Sequence, residues 1–171
     1  MELPNWFSSS STTKRRERNP LENAVVDLVE LSRYAAQHPR LVQGAGGNCS
    51  VKFSDRLVIK ASGYLLEEVS EQDGYVVLDL KTELPIEGSA LKASLETHLH
   101  KLLRKYVIHT HPIVVIALVS AWQGKQVFRD LFPEGFYQWV DYAPPGDLLA
   151  QRVSEALRNL PSLFNSIRFS F

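Results

Sequence analysis

The chain is poor in sulfur: Cys49 is its one cysteine and Met1 its one methionine. A lone cysteine excludes an internal disulfide framework. Neither sign of charge is in excess, since Lys+Arg and Asp+Glu both number 19. No global field therefore draws the molecule to nucleic acid or to an anionic membrane, and any anionic ligand has to be held locally. No stretch is apolar for the length of a membrane span or a signal-peptide core. Cytoplasm is thus the expected compartment, and neither nucleic acid nor membrane is an expected partner. What the chain does have is 171 residues of which 44% are hydrophobic, enough for one domain that buries about two thirds of the surface its unfolded form exposes. Its charge is uneven only at the start, where Lys14-Arg15-Arg16-Glu17-Arg18 follows the Ser8 to Thr13 run. Residues 1–19 are read as a flexible, basic arm and residues 20–171 as the domain.

Periodicity outlines the elements. Asn19-Pro20 is an N-cap with proline at the first helical position, and Leu21, Val25, Leu28, Val29, Leu31 and Ala35 recur at helical spacing until His38-Pro39. The run Gly44-Ala45-Gly46-Gly47-Asn48 breaks that pattern, and Cys49 to Phe53 and Arg56 to Ala61 then predict a hairpin across Ser54-Asp55. Tyr75 to Leu80 is a further strand by its β-branched and aromatic content. Ser94 caps an expected helix from Leu95 to about Arg104 with Leu95, Leu99, Leu102 and Leu103 as its buried stripe, and a strand Tyr106 to His111 follows. Beyond Pro112 the pattern predicts a buried helix Ile113 to Trp122, a helix Lys125 to Leu131, a strand Phe136 to Tyr142, an Asp147-capped helix through Leu157, and the start of a last strand from Leu163 to Phe171. Such a mixture points to an α/β or α+β layered domain around one sheet.

Val107-Ile108-His109-Thr110-His111-Pro112 carries the strongest chemical signal. Two imidazoles two residues apart on an apolar strand project from one face, and they share the cost of burial best around a cation. Zinc is the default for a nitrogen-rich site, although ligand type also admits manganese or iron. The plainer alternative is a pair of structural histidines donating to carbonyls. Thirteen residues before His109, Glu96-Thr97-His98-Leu99-His100 opens the helix, and the i, i+4 spacing stacks Glu96 over His100. Beside a metal, Glu96 would be a general base for proton abstraction next to a carbonyl; alone it would be a first-turn residue favoured by the helix dipole. His98, about half a turn from Glu96, is read as an exposed helix residue.

The glycine loop from Gly44 to Ser50 offers successive backbone N–H groups, with Asn48 and Ser50 adding side-chain donors, and such a loop can cradle a phosphate. Ser62-Gly63 after the second strand and Ser94 at a helix start could add hydroxyls and an amide. The loop lacks the Gly-Lys-Ser/Thr ending of a nucleotide P-loop and the Rossmann glycine spacing.

Taken in order, Gly46-Gly47-Asn48-Cys49-Ser50-Val51-Lys52, Ile59-Lys60-Ala61-Ser62-Gly63, Ser94-x-Glu96-x-x-x-His100, the His109-Thr110-His111 segment and Asp141-Tyr142-Ala143-Pro144-Pro145-Gly146 resemble the class II aldolase/adducin family over about Leu21 to Leu157. The resemblance implies a three-layer α/β/α domain, one zinc ion, a phosphorylated sugar as substrate, and a homo-oligomer, commonly a tetramer with its active site at a subunit boundary. It implies His109 and His111 as zinc ligands, Glu96 as the catalytic acid/base, and Gly47, Asn48, Ser62, Gly63 and Ser94 as phosphate-binding positions. The activity implied is reversible aldol cleavage through a zinc-stabilised enediolate. A non-catalytic assembly domain like the adducin head, or a sugar-phosphate epimerase or dehydratase, stands as the alternative.

The resemblance also has departures. Ala45 and Leu95 stand where aldolases of the family often carry hydroxyls, and the interval from Glu96 to His109 is shorter than theirs. Family enzymes continue into an Asn-His-Gly segment that supplies a third zinc histidine, whereas this sequence reads Leu163-Phe164-Asn165-Ser166-Ile167-Arg168-Phe169-Ser170-Phe171. The expectation is a domain incomplete at its C-terminus and a lyase impaired in this form, with His100 supporting the site from behind the metal rather than ligating it.

Overall fold

A computed structural model describes residues 18–86, 90–133 and 136–158. The basic arm as far as residue 17 and the expected last strand lie outside the described residues. Helix α1, Pro20–Ala36, starts at a reciprocal cap in which Asn19 Oδ1 accepts from the Glu22 N–H at 2.9 Å and Glu22 Oε2 accepts from the Asn19 N–H at 3.0 Å. Its buried residues Ala24, Val25, Leu28, Val29 and Ala35 form the stripe that the periodicity predicts.

That stripe lies on a four-stranded antiparallel sheet of order β3-β2-β1-β4, built from β1 Asn48–Phe53, β2 Arg56–Lys60, β3 Tyr75–Asp79 and β4 Tyr106–His109. The expected hairpin is present: Val51 pairs with Val58, and Ser54 takes the positive φ of 47° that closes the turn. Alternation then divides the sheet into two faces. Cys49, Val51 and Val58 pack on α1 together with Leu66 and Val69 of a 3-10 turn, Leu66–Glu68. Leu57, Ile59, Val76 and Leu78 face the other way, against Leu91 and Ala93. Helix α2, Thr97–Leu102, covers this second face further along β1 and packs on α5, Asp147–Arg158. The result is a helix layer on each side of one sheet, the α/β arrangement expected.

Three local expectations are corrected. Helix α2 starts two residues late because Ser94 begins a separate turn, with Thr97 N–H on Ser94 O at 3.1 Å, so Leu95 of the expected stripe is 66% exposed. Helix α3, Ile113–Ser120, exists but has no buried residue; it packs on α4, Gly124–Leu131, through a corner so tight that a Cβ on Gly124 would lie 2.0 Å from Leu118 O. Phe136–Tyr142 forms no strand. Its alternate residues Tyr137 and Trp139 turn inward onto Phe128 of α4, with ring centroids at 4.7 and 5.9 Å, and a cavity separates the segment from β4. Among the described residues no helix is long and apolar enough to cross a membrane.

Candidate metal centre and active site

The end of β4 brings the expected residues together. His109 is its last residue and pairs with Asn48 of β1. The strand stops there, so His111 is held instead by its own N–H, which donates to Leu41 O at 2.7 Å. Their Nε2 atoms are 3.1 Å apart, with ring planes at 72°. The contact is hydrogen-bonding distance, and it is also close to the roughly 3.3 Å that separates two nitrogens bound to one tetrahedral zinc. Glu96, at the N-cap of α2, places Oε2 at 3.1 Å from His109 Nδ1, within ion-pair reach but outside hydrogen-bond geometry.

The glycine loop serves these histidines directly. A Cβ on Gly46 would stand 3.1 Å from His111 Nδ1 and 2.9 Å from Gln43 O, and one on Gly47, whose φ is +73°, would stand 2.9 Å from His109 O. Two of the glycines read from sequence as a phosphate cradle are thus also clearance, Gly46 for the His111 ring and Gly47 for the backbone carbonyl of His109.

The phosphate-binding candidates gather at the same end of the sheet. Continuing the β1–β2 register past Ser50–Ile59 sets Asn48 opposite Ala61, and Ala61 bridges to Ala93 beside Ser94. Asn48 is buried and its Oδ1 has no hydrogen-bond partner among the described residues. Ser62 is exposed with its N–H on Lys92 O at 2.9 Å, and Gly63 takes a φ of 85° with open space at its Cβ position. Ser94 Oγ accepts from the Glu96 N–H at 3.2 Å, so this hydroxyl also fixes the start of the turn that carries the carboxylate.

His100 enters the site more deeply than the sequence suggested. It is fully buried, its Nδ1 meets Ser50 Oγ at 2.8 Å, and its Nε2 has no partner among the described residues. One ligand atom each from Glu96, His100 and His109 lie within 4.8 Å of one another, a grouping that could hold a metal ion. The Glu-x-x-x-His spacing was the available signal. The alternation of Ser50 and Lys52 on a covered strand face, two polar residues with nowhere to go but α2, was a second signal that went unread. His98 is half-exposed as expected, with Nδ1 2.9 Å from Glu83.

Electrostatics favour ligation and base chemistry. Burial pushes His100 down to about 3, aided by the charge of His109 and Lys52 and opposed by Glu96, so its imidazole is neutral at pH 7. Burial and His109 also lower His111. Burial raises the Glu96 carboxyl, but the His109 contact and the charges of His109, His100 and His111 outweigh it and hold the group below its ordinary value, ionised at neutral pH. Next to the histidines opens a cavity of about 500 Å³, bounded by His100, His109 and Ile108 on one side and by Trp139, Tyr142 and Val153 on the other. Its lining is largely apolar with a few polar side chains, among them His100 and His109, the usual constitution of a small-molecule site.

Comparison with known proteins points to one family. The chain is 28% identical over 170 residues to an uncharacterized oxidoreductase, YuxG, of Bacillus subtilis, covering 82% of the chain and 24% of that protein. It is 33% identical over 95 residues to a probable methylthioribulose-1-phosphate dehydratase of Drosophila melanogaster, covering 52% and 42%. It is 29% identical over 129 residues to an L-fuculose phosphate aldolase of Methanococcus maripaludis, covering 70% and 69%. The chain therefore spans a quarter to less than half of the first two. In fold it matches the N-terminal class II aldolase domain of a conserved protein from Thermoplasma acidophilum, with a TM-score of 0.68 at 22% identity over 86% of this chain and 80% of that one. The family described as Class II Aldolase and Adducin N-terminal domain matches residues 26–165. With that match over most of its length, and with the ordered motifs folded around one histidine–carboxylate cluster, the chain belongs to the class II aldolase and adducin family.

Proposed function

We propose that this chain is a zinc-dependent, aldolase-type lyase unit acting on a phosphorylated sugar. The observation that carries the reading is the 3.1 Å separation of His109 Nε2 and His111 Nε2, with an ionised Glu96 on His109 and with His109 itself lining a largely apolar cavity. His109 and His111 would hold the cation. When bound, the ion supplies Lewis acidity that polarises a carbonyl and takes up negative charge as the carbon–carbon bond breaks. Glu96 returns a proton to the carbon beside that carbonyl in cleavage and removes it in the reverse direction. The Gly47 and Gly63 amides and the side chains of Asn48, Ser62 and Ser94 would hold the phosphate, and the apolar wall excludes water from the reacting end. The similarity to a fuculose phosphate aldolase supports cleavage. The 33% identity to a probable dehydratase favours, as a second reading, loss of water from the same class of substrate. A homo-oligomer belongs to the proposal as well, with the apolar, unburied α3 as the face for a second copy.

The experiment is turnover of a set of ketose 1-phosphates by zinc-loaded protein, followed by mass spectrometry. Release of a three-carbon phosphate supports the lyase, and a product 18 Da lighter than the substrate supports the dehydratase instead. Zinc bound at full occupancy with neither product would overturn both. Glu96→Gln is expected to lower kcat by roughly 10²–10⁴-fold, the usual loss of a general acid/base; an unchanged kcat would remove Glu96 from the chemistry.

A further inference from the structure

The cation reading above accounts for His109 and His111 but leaves His100 without a task. Both ends of that residue are tied to β1. Its Nδ1 meets Ser50 Oγ at 2.8 Å, and its carbonyl accepts from Lys52 Nζ at 2.7 Å, the same ammonium that also reaches Leu103 O at 2.5 Å and Arg104 O at 3.0 Å. Ser50 and Lys52 are alternate residues on one strand face, so β1 fixes the ring and the last turn of α2 as one unit. The remaining ring nitrogen, Nε2, is wholly buried and has no partner among the described residues. Buried imidazole nitrogens are nearly always satisfied, and one that is not calls for an explanation.

The neighbours supply it. His100 and His109 have ring centroids 6.1 Å apart, and a donor atom of each lies within 4.8 Å of the other and of a Glu96 oxygen. Ligation through Nε2 requires the proton to sit on Nδ1, and the Ser50 hydroxyl is there to accept it. We propose that His100 is a nitrogen ligand of a divalent-cation site made with Glu96 and His109, to which His111 is joined through His109, with Ser50 and Lys52 as the positioning residues that aim it. The inference rests on the cation reading and gives the described domain three histidine donors drawn from α2 and the end of β4.

The test is NMR of the full chain labelled with ¹⁵N-histidine and loaded with ¹¹³Cd²⁺, a spin-active stand-in for zinc. The histidine ring nitrogens are assigned through bonds in the wild-type protein, so the answer does not depend on a variant folding. Cadmium–nitrogen coupling to His100 Nε2, together with coupling to His109 and His111, is the expected result. Coupling to His109 and His111 alone would overturn the role of His100 and leave the cation site standing. Absence of coupling to any histidine would overturn both. In parallel, His100→Gln should weaken Zn²⁺ binding by more than the roughly 10–100-fold typical of losing a supporting partner; a variant that binds Zn²⁺ as tightly as the parent would remove His100 from the ligand set.

Discussion

Leu28 and Trp122 are both large apolar side chains, yet the first is 0% exposed between α1 and the sheet and the second is 100% exposed after α3. The contrast holds for their surroundings. In α1, β1 and β2 nearly every apolar side chain at the expected spacing meets another from within the chain. Beyond β4, Ile113, Val114, Leu131, Phe136 and Tyr142 are exposed, and α3 has no buried residue at all. The first region is held by its own core. The second presents apolar surface on a scale that in soluble proteins marks contact with something else. The candidate site lies at the seam, its histidines at the end of β4 and its cavity walled by the second region.

The comparison breaks most decisively at Leu28. Leu28→Ala removes a side chain with no exposure from the main core, and is expected to cost about 2–5 kcal/mol, the range for deleting a buried leucine. The measurement is the urea midpoint at constant m-value. A loss under 1 kcal/mol would mean that this layer is not the stabilising core.

Gly47→Ala sharpens the seam itself. The added Cβ would meet His109 O at 2.9 Å, and the backbone holds a φ of +73°; a left-handed conformation costs a non-glycine residue about 1–2 kcal/mol before any clash. A destabilisation of about 1–3 kcal/mol together with weaker zinc binding is expected, because the strand end that carries His109 must shift. Weaker phosphate binding with stability and metal affinity intact would return the loop to a purely phosphate-cradling role.

How far the sequence could be read follows the same division. The N-cap at Asn19, the stripe of α1 and the hairpin across Ser54-Asp55 were legible because local signals there agree with tertiary burial. The histidine pair and Glu96 were legible from spacing, although His111 is set by its bond to Leu41 O rather than by a continuing strand. Contacts across the layers were not legible. Nothing local says that Ser50 and Lys52 reach α2, nor that Gly46 and Gly47 are clearance for His111 and His109. In the second region apolar periodicity misled, since a run as uniform as Ile113 to Val119 predicts burial without saying by what, and the alternation of Phe136 to Tyr142 was spent on Phe128 rather than on a strand partner.

The smallest expected effect is the most informative about that second region. Trp122→Ser deletes the most exposed apolar side chain, and if the described surface is free its urea midpoint moves by no more than about 0.5 kcal/mol, as for surface positions in general. The measurement is made at two protein concentrations a hundredfold apart. A stability that depends on concentration in the parent and loses that dependence in Trp122→Ser would place a second copy over this face, because association stabilises by mass action and a lone chain does not respond to dilution. A large loss that is independent of concentration would instead mean that the indole is covered by the chain's own residues, and the distinction between a self-sufficient core and an uncovered second region would fall.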